Sequence, residues 1–404
     1  MANVQVLYAE DISGAITANS TAWVDVCSIA AGSFTAGAKC LIIANQNTHN
    51  DSASEEGRIR LVHGTTPTVF DDASLAFESG VNGEHLVSYM FLFTQPGTTE
   101  LIKLQISSSS TNVTTSDWGQ IIVINLDDIG ADGTNYFWDE DLVDYTMIAG
   151  PIAKAITASF TPNGTDRWLF IGHMIYDVVG ITAPVGFSLW DSVAGELSRR
   201  QQEGEDGTND FLGHNVFWVG VPTNAARTLS VRPYSTSSAV MLASRVIAIN
   251  LSVFAQSAGA FAAAEVDPAT SPTYTTLATV SPTPSVTGDW VYIAFGVEDG
   301  NEFTSDFRTR LQVNPDGGGL ISDPAYPNTV TTNLWDTADE IALSVFNLRQ
   351  LDSGAARDIN FDATQIAGTT GRWQTNGLVA FSVALANGGP PPAVASRMPL
   401  LGAG

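Results

Sequence analysis

The chain has 404 residues, 44% of them hydrophobic, with two cysteines and a formal net charge of −25. No run of about 18 apolar residues occurs, so no helix is expected to span a bilayer, and two thiols make neither a disulfide framework nor a metal site. A surface this acidic repels phosphate backbones, which argues against nucleic acid as a partner, and it keeps a protein soluble at high copy number.

The N-terminal residues 1–11 carry no basic segment and meet acids before any long apolar stretch, so no secretory signal is expected and synthesis in a cytoplasm is. Cys27 and Cys40 read as plain buried thiols, since free cysteine packs as a small hydrophobe.

Taken in chain order, five strand-like segments form a block that recurs three times. The first block has segments at 40–44, 58–62, 86–93, 101–106 and 120–126. The second repeats them at 168–171, 186–190, 216–221, 228–232 and 245–251, and Ile-Asn-Leu closes both blocks, at 124–126 and 249–251. The third places them at 290–295, 309–313, 341–346, 358–361 and 378–385. All are short, rich in Val, Ile, Phe, Trp and Tyr, and bounded by Gly, Pro, Asn, Asp and Ser, which is the strand signature. In the segment at 58–62, Arg58 and Arg60 face one way and Ile59 and Leu61 the other, as in a half-exposed antiparallel strand. The segment at 120–126 is apolar almost throughout and belongs in the centre of a sandwich or against a neighbouring domain. A period of about 120 residues is too long for a solenoid and suits a domain with its own core.

Weaker strands precede each block, at 21–29, at 145–149 with 156–160, and at 274–280. Helical pattern is confined to 72–79, 192–202 and 258–265. Residues 127–144 and 255–272 read as linkers, the first acidic and the second Ala-rich. The organisation expected is all-β: three tandem antiparallel β-sandwich domains, jelly-roll-like with an immunoglobulin-like topology as the alternative. Their spans are 1–144, 145–265 and 266–386. Residues 387–404 follow as an extended arm with a polyproline start at Pro390, Pro391 and Pro392, in which Met398, Leu400 and Leu401 are the apolar plugs of an expected interaction.

Chemistry is sparse. The five histidines, His49, His63, His85, His173 and His214, share no repeated position, and no nucleophile elbow, zinc helix or phosphate loop occurs. Two carboxylates suffice for a glycosidase, but the 42 acids offer too many candidates to choose among; no enzyme, catalytic residue, metal or cofactor is expected. The Asp-Gly pairs at 132–133, 206–207 and 299–300 suit calcium loops, and suit tight turns better. Trp168, Trp190, Trp218, Trp290, Trp335 and Trp373 are candidates for sugar stacking, but the first four lie in or beside apolar strands and read as core.

Tandem β-sandwiches, an acidic Gly/Thr/Ser/Asn-rich sequence, almost no cysteine and a Pro/Gly arm together resemble virion structural proteins of tailed bacteriophages: capsid decoration proteins, head fibres, and tail or baseplate sandwich proteins. That resemblance implies a non-enzymatic protein of the virion, binding other capsid or tail subunits and associating as a homo-oligomer, often a trimer, with the arm reaching onto a neighbour. The alternative it carries is a glycan-binding adhesin or tail-fibre module that holds a host glycan.

Overall fold

The computed structural model describes residues 3–386 except 12–15, 32, 34, 51–55, 79–83, 97–100, 110, 112, 149, 151, 178–183, 204–210, 236–238, 271–272, 301–305, 314–320, 323–327, 332–338 and 368–370. The arm residues Pro390, Pro391, Pro392, Met398, Leu400 and Leu401 therefore lie outside the described residues.

The first third of the chain forms β1 (Val6–Asp11), β2 (Ile16–Ala18), β3 (Val24–Ile29), β4 (Lys39–Asn50), β5 (Glu56–His63), β6 (Thr68–Glu78), β7 (Glu84–Thr94), β8 (Ile102–Ser108) and β9 (Thr114–Asn125). The second forms β10 (Tyr136–Asp141), β11 (Tyr145–Thr146), β12 (Lys154–Ile156), β13 (Trp168–Asp177), β14 (Pro184–Asp191), β15 (Gly195–Glu203), β16 (Phe211–Gly220), β17 (Leu229–Ser235) and β18 (Val240–Asn250). The last forms β19 (Ser257–Ala262), β20 (Thr275–Val280), β21 (Gly288–Gly300), β22 (Asp306–Val313), β23 (Ile321–Ser322), β24 (Asn328–Thr331), β25 (Asp339–Leu351), β26 (Ile359–Ala367) and β27 (Gly371–Ser382).

These strands build six antiparallel sheets in three pairs. The pairs are β1-β9-β4-β7 with β3-β8-β5-β6, β10-β18-β13-β16 with β12-β17-β14-β15, and β19-β27-β21-β25 with β20-β26-β22-β23. Leaving aside the short β2, β11 and β24, every pair has the order first-eighth-third-sixth opposite second-seventh-fourth-fifth. That is the double Greek key of a jelly roll. The immunoglobulin alternative, with strands ABED opposite CFG, is not the order seen.

All three segments expected to be helical are strands. Residues 72–79 fall largely in β6, 192–202 in the turn into β15 and in β15 itself, and 258–265 begin in β19. Both expected linkers hold strands as well. Within 127–144, β10 pairs with β18, Tyr136 opposite Ile249; within 255–272, β19 pairs with β27, Ala258 opposite Ala380. Each is the first strand of the following sandwich, ahead of the boundary expected from the sequence. Small residues in β19 have a packing cause: a Cβ on Gly259 would stand 2.7 Å from Val219 and 3.1 Å from Arg167. Ala-Gly-Ala at 258–260 is a close-approach pattern, which a reading by local propensity takes for a helix.

Along β4, alternate residues serve two cores. Cys40, Ile42 and Ala44 pack inside the first sandwich with Ile59, Leu61, Leu104 and Ile106. Leu41 and Ile43 point the other way, into a core shared with Leu169 and Ile171 of β13 and with Val291 and Ile293 of β21. The sheets that contain these strands are thus buried on both faces, which is why their strands read as unbroken apolar runs rather than alternating ones. In β9, Ile121 and Val123 fill the sandwich while Ile122 and Ile124 enter the shared core. The segment at 120–126 thereby meets both placements proposed for it.

The three sandwiches contact one another in a ring: β6 lies against β16, β15 against β25, and β24 against β7. The first two set the fifth strand of one sandwich on the sixth of the next; the third sets β24, the short strand paired with β22, on the sixth. Each sandwich core also takes in residues of the next: Ile175 and Ala243 join the first, Val297 and Ala342 the second, and Leu86 and Trp118 the third. The ring closes where the chain begins, as Val4 N donates to Val383 O at 2.7 Å.

Candidate functional site

The junction on the ring axis is the feature in which the three sandwiches differ most. Strand registers fix the equivalent positions. Leu41, Leu169 and Val291 oppose Ile124, Ile249 and Phe381, and one step on Ile43, Ile171 and Ile293 oppose Ile122, Ile247 and Val379. Both of these layers are wholly apolar. One further step brings Asn45 opposite Gln120, His173 opposite Arg245, and Phe295 opposite Gly377. Here three different chemistries occupy one place, and all of the polar side chains are buried.

Each pair is matched to the sixth strand of the preceding sandwich. Gln120 treats the free edge of β25 as a neighbouring strand would: its Nε2 donates to Phe346 O at 3.0 Å and its Oε1 accepts from Phe346 N at 3.0 Å. Asn45 Nδ2 donates to Ser344 O at 2.6 Å, and Tyr8 OH donates to Phe346 O at 3.0 Å. An edge strand that would otherwise present unpaired amides is thus closed by side chains. Between the first and second sandwiches, the Arg245 guanidinium lies 4.3 Å from the centre of the Phe91 ring, and Asn215 Nδ2 donates to Tyr89 O at 3.3 Å. Between the second and third, Phe217 stacks on Phe295 with centroids 5.1 Å apart. A Cβ at Gly377 would run into the Phe295 ring, so the glycine is what makes room for it.

His173 is the one ionisable ring in this layer. Its Nδ1 faces the His214 carbonyl oxygen at 2.9 Å and therefore carries the proton, leaving the lone pair on Nε2. Burial, and then the neighbouring Arg245, pull its pKa down to about 3. The ring is neutral at ordinary pH and faces no solvent, so it has no route to a substrate. Arg245, 1% exposed, reaches outward with its Nε 3.5 Å from Glu140.

The other residues singled out by sequence fall elsewhere. His49 pairs with Asp117 at 3.0 Å on a half-buried edge, and His63 lies between the rings of Phe70 and Phe93. The side chain of His85 lies outside the described residues. Asp132-Gly133 makes a turn into β10, with Gly133 at φ +82° and its N–H on Tyr136 O; Asp299 and Gly300 are the last residues of β21, opposite Glu340 and Asp339, and residues 206–207 lie outside the described residues. Among the described residues no group of three or more His, Cys, Asp or Glu is placed to hold a metal ion, and no helix is long and apolar enough to cross a membrane. Trp168, Trp290 and Trp373 are core residues. Trp218 stacks on Phe170 at 4.8 Å, Trp190 lies under Arg232 at 4.0 Å, and Trp335 lies outside the described residues. Cys27 and Cys40 are free and buried, and burial raises both thiols, Cys40 to about 12. The positions Asn45, His173 and Phe295 escaped sequence reading because no two are alike. Laying the three blocks over one another at Leu41, Leu169 and Val291 brings them into line.

No protein-family model matches the chain, and no curated protein matches it. Among solved structures it is similar to the Eiger TNF of S. frugiperda, at 7% identity over 30% of this chain and 92% of that one, with a TM-score of 0.24. It is also similar to a structure described as the triple jelly roll fold and turret assembly of an archaeal virus, at 8% identity over 94% of this chain and 88% of that one, TM-score 0.20. A third is the PBSX exported protein XepA, at 8% identity over 59% and 86% of the two chains, TM-score 0.19. Superposition at this level bears on no function; the jelly-roll assignment stands on the strand order itself.

Proposed function

We propose that this protein is a non-enzymatic structural component of a bacteriophage particle, decorating or bracing its surface through contacts with other capsid or tail subunits. The observation that carries the reading is the ring itself. Three jelly rolls share one core and cover one another's sixth strands, so a single chain makes a three-lobed body whose most elaborate polar chemistry serves to join its own parts. Its outer faces, with the net charge of −25, are left for partners. Association of whole copies, as the resemblance to trimeric virion proteins implies, would use those outer faces. The test is immuno-electron microscopy of particles from the source with antibody against the recombinant protein. Label on the particle surface supports the reading; label that stays wholly with the soluble fraction sinks it.

A second reading, attachment to a host glycan, is favoured by one observation. Trp23 and Tyr274 stand at equivalent places just ahead of β3 and β20, each roofed by an arginine, Arg60 at 4.0 Å and Arg310 at 3.8 Å. Arginine on an aromatic face beside half-buried polar groups is a surface that sugars can share. A glycan array probed with the intact protein decides it, and a blank array removes the reading.

A further inference from the structure

The second sandwich carries an apolar surface of its own. Leu142, Val143, Ile148, Ile152 and Ile156 are all between 40% and 70% exposed, and they are five of the eight large hydrophobic side chains exposed among the described residues. Local contacts draw them together. Ile156 N donates to Asp139 at 2.6 Å, and Lys154 lies 3.3 Å from Asp141 and 4.3 Å from the centre of the Tyr145 ring. Strands β10, β11 and β12 are edge strands of their sheets there, so this is the open flank of the sandwich. Its rim is acidic: of Asp139, Glu140, Asp141 and Asp144, Glu140 faces Arg245 and Asp141 faces Lys154, and Asp144 is exposed.

We infer that this flank is the docking site of the C-terminal arm of the same chain, with Met398, Leu400 and Leu401 on the aliphatics and Arg397 toward Asp144. Charge is the first ground. In a protein of net charge −25, residues 387–404 contain no acidic side chain and one arginine, Arg397, so the arm is the apolar segment that an acidic-rimmed surface repels least. The second ground is where the arm starts. Ala386 N donates to Val253 O, just past the end of β18 at Asn250, and β10 and β11 run back along β18 from that end, Tyr136 opposite Ile249 and Tyr145 opposite Met241. From the end of β18 to the level of Leu142 is about eight residues, roughly 26 Å. The twelve residues 387–398 span about 37 Å when extended. The arm reaches with length to spare, and a tether this short holds its tip at an effective concentration of order mM, which favours its own flank over that of a second copy.

Engineered disulfides in the full-length protein test this. Val143→Cys with Leu401→Cys is compared with Val286→Cys with Leu401→Cys. Val286 is 42% exposed and nearer the start of the arm, since Ser285 N bonds Gln256 and Gln256 N bonds Ser382. The buried thiols of Cys27 and Cys40 do not compete. Chain entropy alone favours the nearer pair, so docking predicts the reverse: a within-chain bond at least about tenfold faster for the Val143 pair, slowed again by Asp144→Lys. Equal rates, or faster closure at Val286, overturn the inference. Covalent dimers in place of the within-chain bond overturn it too, because they show the arm on a second copy.

Discussion

The apolar and the polar layers of the ring junction lie one step apart along the same strands, and they do different work. At Leu41, Leu169 and Val291, and again at Ile43, Ile171 and Ile293, the three sandwiches present interchangeable aliphatics. Nothing there would tell one sandwich from another. At Asn45, His173 and Phe295 they are not interchangeable. Moving Phe217 onto Asn45 and Gln120 would leave the two amides without the backbone partners they now have in Ser344 and Phe346, and moving Phe346 onto Phe295 would leave its N–H and C=O uncapped. The apolar layers supply association; the polar layer supplies order, by making wrong pairings costly.

The largest effect expected in a test of this contrast is from Phe217→Ala, which empties a buried site in the second apolar layer and removes the stack on Phe295. About 4 kcal/mol should be lost in urea unfolding. A loss below about 1 kcal/mol would mean that the sandwiches do not depend on their shared core.

Acid addresses the polar layer. His173 has a folded pKa of about 3 against an ordinary value of 6.5, so between those values the unfolded chain binds a proton that the folded one does not. Stability from this group is therefore complete above pH 6.5 and falls as the pH drops toward 3, by about 3 kcal/mol at pH 4. His173→Asn, which copies the first sandwich, should remove that part of the slope in denaturation midpoints followed across pH. An unchanged slope would mean that the ring is not held neutral in the junction.

Gln120→Leu keeps the bulk and deletes both hydrogen bonds to Phe346; Tyr8 OH still serves the carbonyl, so the loss falls on the buried N–H that Gln120 Oε1 accepts from, with a cost of about 2 kcal/mol. Amide exchange at Phe346 should accelerate with it; if that amide stays as protected as in the parent, the glutamine is not its cap. The smallest effect is expected at Gly377→Ala, where the new methyl meets Phe295: about 1–2 kcal/mol, recovered in large part by adding Phe295→Leu. Failure of the second change to restore thermal stability would show that the strain lies elsewhere.

Much of the fold is legible in the residues. The fifteen segments read as strands from their β-branched and aromatic content all lie in strands, at the same five places in each jelly roll. What failed was the first and fifth strand of each sandwich. Residues 258–260 are small where Val219 and Arg167 press on the backbone at Gly259, and residues 192–202 are polar because β15 is an edge strand; local pattern makes both look helical. The acidic stretch at 127–144 looks like a linker because β10 is half-exposed and its sheet neighbour, β18, is about a hundred residues away.

By itself, then, the sequence determined the class, the threefold repetition and the double burial of the closing strands, since these depend on composition and on the period of apolar residues, which are local properties. The choice of jelly roll, the ring, and the pairing of Asn45, His173 and Phe295 with the preceding sandwich were decided by tertiary structure. Each of them depends on which strands lie side by side across a hundred residues or more, and side chains that differ in kind at equivalent places leave no repeated mark along the chain.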